Sequence, residues 1–209
     1  MELVNEIDLY KKYIKQRVSC DYTNDHQMTT YISILRGINV SGQKLIKMDA
    51  LRKMYENLGF QSVKTYVQSG NVIFKSKDFK IAGLEQTISR QIKKDFGFDV
   101  PVIVLTIDKL KKIIENSPFS KDLSKDASFL HVTFLSSKPK SFEREVIETK
   151  RSNKEEISFS DDAVYLYCPD GYGISKLSNN FLETKLKVGA TTRNWKTTNE
   201  LLKIAQEII

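Results

Sequence analysis

The sequence predicts an α+β protein built of two successive halves, because one order of elements occurs twice along the chain and a polar seam separates the copies. Residues 30–76 read as strand, polar loop, amphipathic helix, strand, tight turn and strand. Residues 129–168 return to the same βαββ order without visible sequence identity, as a structural duplication would. Between them the Lys/Ser-rich stretch 117–128 offers a boundary. A further helix and strand close the first copy as a βαββαβ unit. The expected fold is therefore two tandem ferredoxin-like halves, residues 28–117 and 118–209, the second ending in two helices in place of a fourth strand.

Residues 1–27 precede the first half as an extension. Leu3, Ile7, Tyr10, Ile14 and Val18 recur at helical spacing, with acidic residues early and basic ones late, which suits the helix dipole. The expectation is an amphipathic helix that is either a surface appendage or a partner-binding segment; alternatively Met28 is the true start. Residues 31–35 are short and β-branched enough for a buried strand, which ends at RGINVSG. Met48, Leu51, Tyr55 and Leu58 give the next helix one apolar face, and Gly59 can turn left-handed just past its end. Strands over 63–67 and 72–75 flank QSGN, where Gly70 and Asn71 can supply positive φ.

Ile81, Leu84, Ile88 and Ile92 mark a second amphipathic helix, ending near Gly97, and residues 101–106 a strand. In such a unit the first two strands run parallel. RGINVSG and QSGN then leave the same edge of the sheet. Residues 108–116 read as a short helix stopped by Pro118. In the second half, strands are expected at 129–135, 157–160 and 164–168, and helices at 142–149, 181–188 and from Trp195 onward. GYGISKLSNN lies between as an exposed loop. Thr191 or Thr192 is expected to cap the last helix, with Arg193 and Asn194 in its first turn.

RGINVSG, a methionine opening LRKMYENLGF, TYVQSGNVIF, GISKL and TTRNWKT occur in one order along the chain. Together they resemble the domain of unknown function 1697 family over residue 28 to the C-terminus. The resemblance implies a bacterial soluble protein with two ferredoxin-like halves. It implies no settled activity.

Composition narrows the classes further. No window of the sequence approaches the roughly 18 uninterrupted apolar residues of a membrane span, and the N-terminus lacks a signal-peptide apolar region, so a cytosolic protein without a membrane partner is expected. Cys20 and Cys168 lie far apart with no CxxC, which predicts reduced thiols. The formal net charge of +7 favours an anionic partner, either nucleic acid or a phosphorylated small molecule.

The candidate site residues follow from that charge. Arg36, Asn39 and Lys44 in the first loop can hold a phosphate against backbone amides, although the loop has neither the GxxxxGK[ST] order of a P-loop nor a GxGxxG. Gln68, Ser69 and Asn71 sit at the adjoining turn, where turn geometry alone also explains them. Arg193 and Asn194, set at a helix start, would join an anion site with a positive dipole end; the competing role for Arg193 is a salt bridge. Lys176 is a second cation for the same anion. Catalysis is poorly supplied: His26 lies in the extension, His131 in a strand, Cys168 has no paired histidine, and the Asp161-Asp162 pair fits a turn. No cofactor motif or metal cluster is present. The leading expectation is recognition of an anion; an enzyme using Arg36, Lys44 and Arg193 as electrostatic stabilisers, or an interaction scaffold, is the alternative. RNA binding of the RRM type is disfavoured, since the strands lack that signature. The sequence carries no signal of oligomeric state.

Overall fold

A computed structural model of the chain describes residues 28–78 and 80–208. The helix expected over residues 1–27, with Cys20 and His26, lies outside the described residues. The elements run β1 (Thr29–Leu35), α1 (Met48–Asn57), β2 (Gln61–Tyr66), β3 (Asn71–Ser76), α2 (Ile81–Phe96), β4 (Val102–Thr106), α3 (Ile107–Glu115), β5 (Leu130–Leu135), α4 (Arg144–Glu148), β6 (Glu156–Phe159), β7 (Ala163–Tyr167), α5 (Asn179–Leu186), β8 (Ala190–Asn194) and α6 (Trp195–Glu207). The architecture is mixed α+β, with two four-stranded antiparallel sheets in the orders β2-β3-β1-β4 and β6-β7-β5-β8 and six helices among the described residues.

Period-2 alternation along β1 sends its side chains to two different cores, which is why the strand is buried on both faces. Tyr31 and Leu35 join Val72, Phe74 and the apolar faces of α1 and α2. Ile32 and Ile34 join Ile73, Leu110 and Ile113 of α3, Leu201 and Ala205 of α6, and Val132 and Phe134 of the second sheet. That second cluster ties the two sheets together. On the first face the hydroxyl of Ser33, between Tyr31 and Leu35, would be costly to bury, but it bonds the Tyr55 hydroxyl at 2.8 Å and the Val72 carbonyl at 3.2 Å. A third cluster, including Leu166, Leu177, Leu182 and Leu186, covers the outer face of the second sheet.

The second half differs from the expectation in one consequential respect: it does have a fourth strand. Residues 190–194 pair antiparallel with β5, from Leu135↔Ala190 to His131↔Asn194. Thr191 and Thr192 therefore extend an edge of the sheet and cap nothing. The cap passes to Asn194, whose side-chain oxygen accepts from the Thr197 amide at 2.8 Å, and α6 opens at Trp195. Arg193 sits in a strand, outside the helix turn expected for it. Local propensity misplaced the boundary because threonine serves equally as a cap and as a β-branched strand residue.

The helix expected over 181–188 begins two residues earlier, at Asn179, capped by Ser178. The turn after β2 takes its positive φ at Val67 and Gly70, while Asn71 opens β3 in extended form. At Gly70 the requirement for glycine is steric as well as conformational. Its φ is +77°, and a Cβ there would stand 2.6 Å from Ile38 Cδ1 and 2.9 Å from Leu35 Cβ. Gly70→Ala should therefore destabilise the protein by about 2–4 kcal/mol, from left-handed strain plus overpacking, read as a lower urea midpoint with an unchanged slope.

Candidate functional site

The β1 end, the β2–β3 turn, β8 and the first turns of α5 and α6 surround one cleft of about 680 Å³. Each wall has a separate cause in the sequence.

The first wall is the loop after β1. Gly37, Asn39, Ser41, Gly42 and Lys44 all have positive φ, which for Asn39, Ser41 and Lys44 is a strained choice. The bonds of Asn39 hold that shape. Its amide nitrogen donates to the carbonyls of Ile46 and Gln68, both at 2.9 Å, and its oxygen accepts from the Ile46 amide at 2.8 Å. Lys44 Nζ donates to the Asp99 carbonyl at 2.6 Å and borders the cleft. Arg36 also borders it, but is held onto α5 by Glu183 at 2.6 Å and Asn180 at 2.5 Å.

Arg193 closes the base between the two halves. It is 8% exposed, and its guanidinium donates from Nε to Asn71 Oδ1 at 2.7 Å, from one terminal nitrogen to the Leu35 and Ser69 carbonyls at 2.7 Å each, and from the other to the Thr192 carbonyl at 2.9 Å. No carboxylate pairs with it among the described residues, so the salt bridge considered from sequence is absent there. Loss of hydration pulls its pKa down to about 10, leaving it charged at neutral pH. The planar fork fits four acceptors at once, which a lysine could not do.

The second wall is polar and belongs to the second half. The Thr192 hydroxyl donates to Asn179 Oδ1 at 2.6 Å and accepts from the Tyr172 hydroxyl at 3.0 Å, with Thr133 at 2.7 Å. His131 stacks on Tyr172, ring centroids 4.9 Å apart and planes 23° apart. Its Nδ1 lies 3.1 Å from the Phe129 carbonyl, which can only accept, so Nδ1 carries the hydrogen. Burial lowers the His131 pKa, which favours the neutral ring. Asn194 at the start of α6 and Asn179 and Asn180 at the start of α5 complete the lining. Two positive helix ends thus face one space.

Of the residues singled out from sequence, Arg36, Lys44, Ser69, Arg193 and Asn194 line the cleft. Asn39, Gln68 and Asn71 do not; they brace the first loop and Arg193. Lys176 borders a separate depression of about 270 Å³ with Arg151 and Asp170, so it shares no anion with Arg193. Sequence reasoning missed His131, Tyr172, Asn179, Asn180 and Thr192 as lining residues. Only the β5–β8 pairing gathers them, and the polar pattern of residues 190–194 does not announce a strand. Cys168 is buried, its pKa pushed up to about 12 by burial first and by Glu155 second, which leaves an inert thiol. Among the described residues no three His, Cys, Asp or Glu side chains form a metal-binding group.

Replacing Arg193 by lysine keeps the charge but loses the fork, leaving several of those acceptors dry. R193K should be destabilised by about 2–4 kcal/mol in urea unfolding; a change under about 0.5 kcal/mol would show that the guanidinium does not brace the halves.

The family model described as a protein of unknown function (DUF1697) matches residues 28–165. The GISKL and TTRNW segments lie beyond that match. A solved structure of a conserved bacterial protein from Streptococcus pneumoniae is similar to this chain, with 25% identity and a TM-score of 0.63, over 85% of this chain and 99% of that one. No curated protein matches the chain.

Proposed function

The chain belongs to the DUF1697 family of proteins of unknown function, and for this member we propose that two tandem ferredoxin-like halves hold a small phosphate-bearing anion in the cleft between them. The observation that carries the reading is Arg193: a buried cation with no carboxylate partner among the described residues, at the base of a cleft that two helix starts also face. A charge taken out of water is costly unless an opposite charge accompanies it. Neutral carbonyls compensate Arg193 only in part. An anion in the cleft would add the missing counter-charge, and the α5 and α6 starts would add amide dipoles.

The cleft also favours a small ligand over a nucleic-acid backbone. Its volume falls in the range of small-molecule sites, and it is concave, whereas backbone binding calls for an extended basic face. Lys44 at the rim would add a second cation to the cradle. The tandem ferredoxin-like reading is supported by the strand orders, which place β1 centrally between β3 and β4, and β5 between β7 and β8.

Asn194→Asp tests the proposal without disturbing the fold, since aspartate caps a helix as well as asparagine does. In the wild type, phosphate at a hundredfold excess over its Kd should stabilise the protein by about 2.7 kcal/mol, read as a rise in Tm. The carboxylate introduced by the substitution would oppose an anion at that position. N194D should therefore keep the ligand-free Tm and lose the phosphate-induced rise; an equal rise in both proteins would refute the anion site.

A further inference from the structure

We infer that His131 makes the cleft selective for an oxyanion whose ligand brings its own O–H donor, such as hydrogenphosphate or a hydroxylated phosphate ester, over an anion that has only acceptor oxygens. The inference rests on the anion reading above but adds a specificity that charge alone does not supply.

The geometry fixes what the ring can offer. Nδ1–H is committed to the Phe129 carbonyl at 3.1 Å, so in the neutral ring Nε2 carries a lone pair and no hydrogen. Nε2 has no hydrogen-bond partner among the described residues, yet no buried side-chain nitrogen or oxygen is left without one. Nε2 therefore keeps some solvent exposure, on a residue that lines the cleft. The stack on Tyr172 limits ring rotation, and Tyr172 is itself tied through its hydroxyl to Thr192.

Position along the strand brings this acceptor beside the anion cradle. His131 is the direct partner of Asn194 across the β5–β8 pair, so the two side chains rise from the same face of the sheet. Asn194 stands at the start of α6. An anion held against that helix start thus meets a lone-pair acceptor from the neighbouring strand. Sulfate would present a lone pair to a lone pair. Hydrogenphosphate, of the same charge, would present P–OH, and a carbon-borne hydroxyl near a phosphate would serve equally. This is discrimination through an unsatisfied polar group, and it acts on binding without any bond being broken.

The test uses isothermal titration of the full chain at neutral pH with two matched pairs of probes: inorganic phosphate against sulfate, and glycerol phosphate against methyl phosphate. At least one pair should separate by about tenfold in Kd, the hydroxyl-bearing member binding more tightly. The first pair reports a donor on phosphorus, the second a donor on the carbon skeleton. In His131→Phe, which keeps a ring against Tyr172, that separation should vanish while the acceptor-only anion binds as before. Measurable binding with no separation in either pair overturns the inference and leaves the anion site standing. No binding by any of the four probes overturns both. Because the wild-type comparison decides the matter, a folding defect in the variant would not protect the idea.

Discussion

The structure depends on one buried guanidinium. Arg193 stands on β8 of the second sheet and donates to Leu35 and Ser69 of the first half, as well as to Asn71 at the start of β3. Apolar packing in the shared cluster draws the two sheets together, but it is non-directional and would tolerate small slides of one half over the other. The three directed hydrogen bonds to Asn71, Leu35 and Ser69 do not. They fix the angle at which the β1 end, the β2–β3 turn and β8 meet, and that junction is the cleft.

The same junction explains the strain in the first loop. Three non-glycine residues in the left-handed region would be unfavourable in an isolated peptide. Asn39 offsets that cost by bonding both its own loop and the Gln68 carbonyl of the adjoining turn. The loop is thus shaped by its neighbour. Residues chosen for polarity at that loop, Asn39 above all, turn out to brace the backbone, and the same holds for Asn71 beneath Arg193. Polar side chains near a cleft divide into those that face it and those that hold its walls, and composition does not separate the two.

Electrostatics in the cleft are uneven. Arg36 is compensated by Glu183, whose other oxygen accepts from the Ala190 amide at 2.9 Å, so this pair locks α5 against β8 more than it charges the cavity. Among the described residues Arg193 is compensated only by dipoles. His131 is held neutral by burial beside them. The result is a site with net positive potential at its base and an accepting nitrogen on its wall, a combination that simple charge counting does not reveal.

By itself the sequence determined the periodic elements, including the parallel β1 and β2 that bring RGINVSG and QSGN to one edge. Those elements are local: a 3.6-residue or two-residue apolar pattern states which face must be buried, and a glycine states where the chain can turn. It also singled out Arg193 and Asn194, although for the wrong local setting. The tertiary structure decided that residues 190–194 form a strand, that Asn194 is the cap, that Lys176 lies elsewhere, and that His131 and Tyr172 belong with them. A strand such as ATTRN, with few apolar residues, is stabilised by the partner it pairs with, and that partner, β5, lies some 60 residues away. Information of that kind resides in pairing across the fold, so no window along the chain contains it.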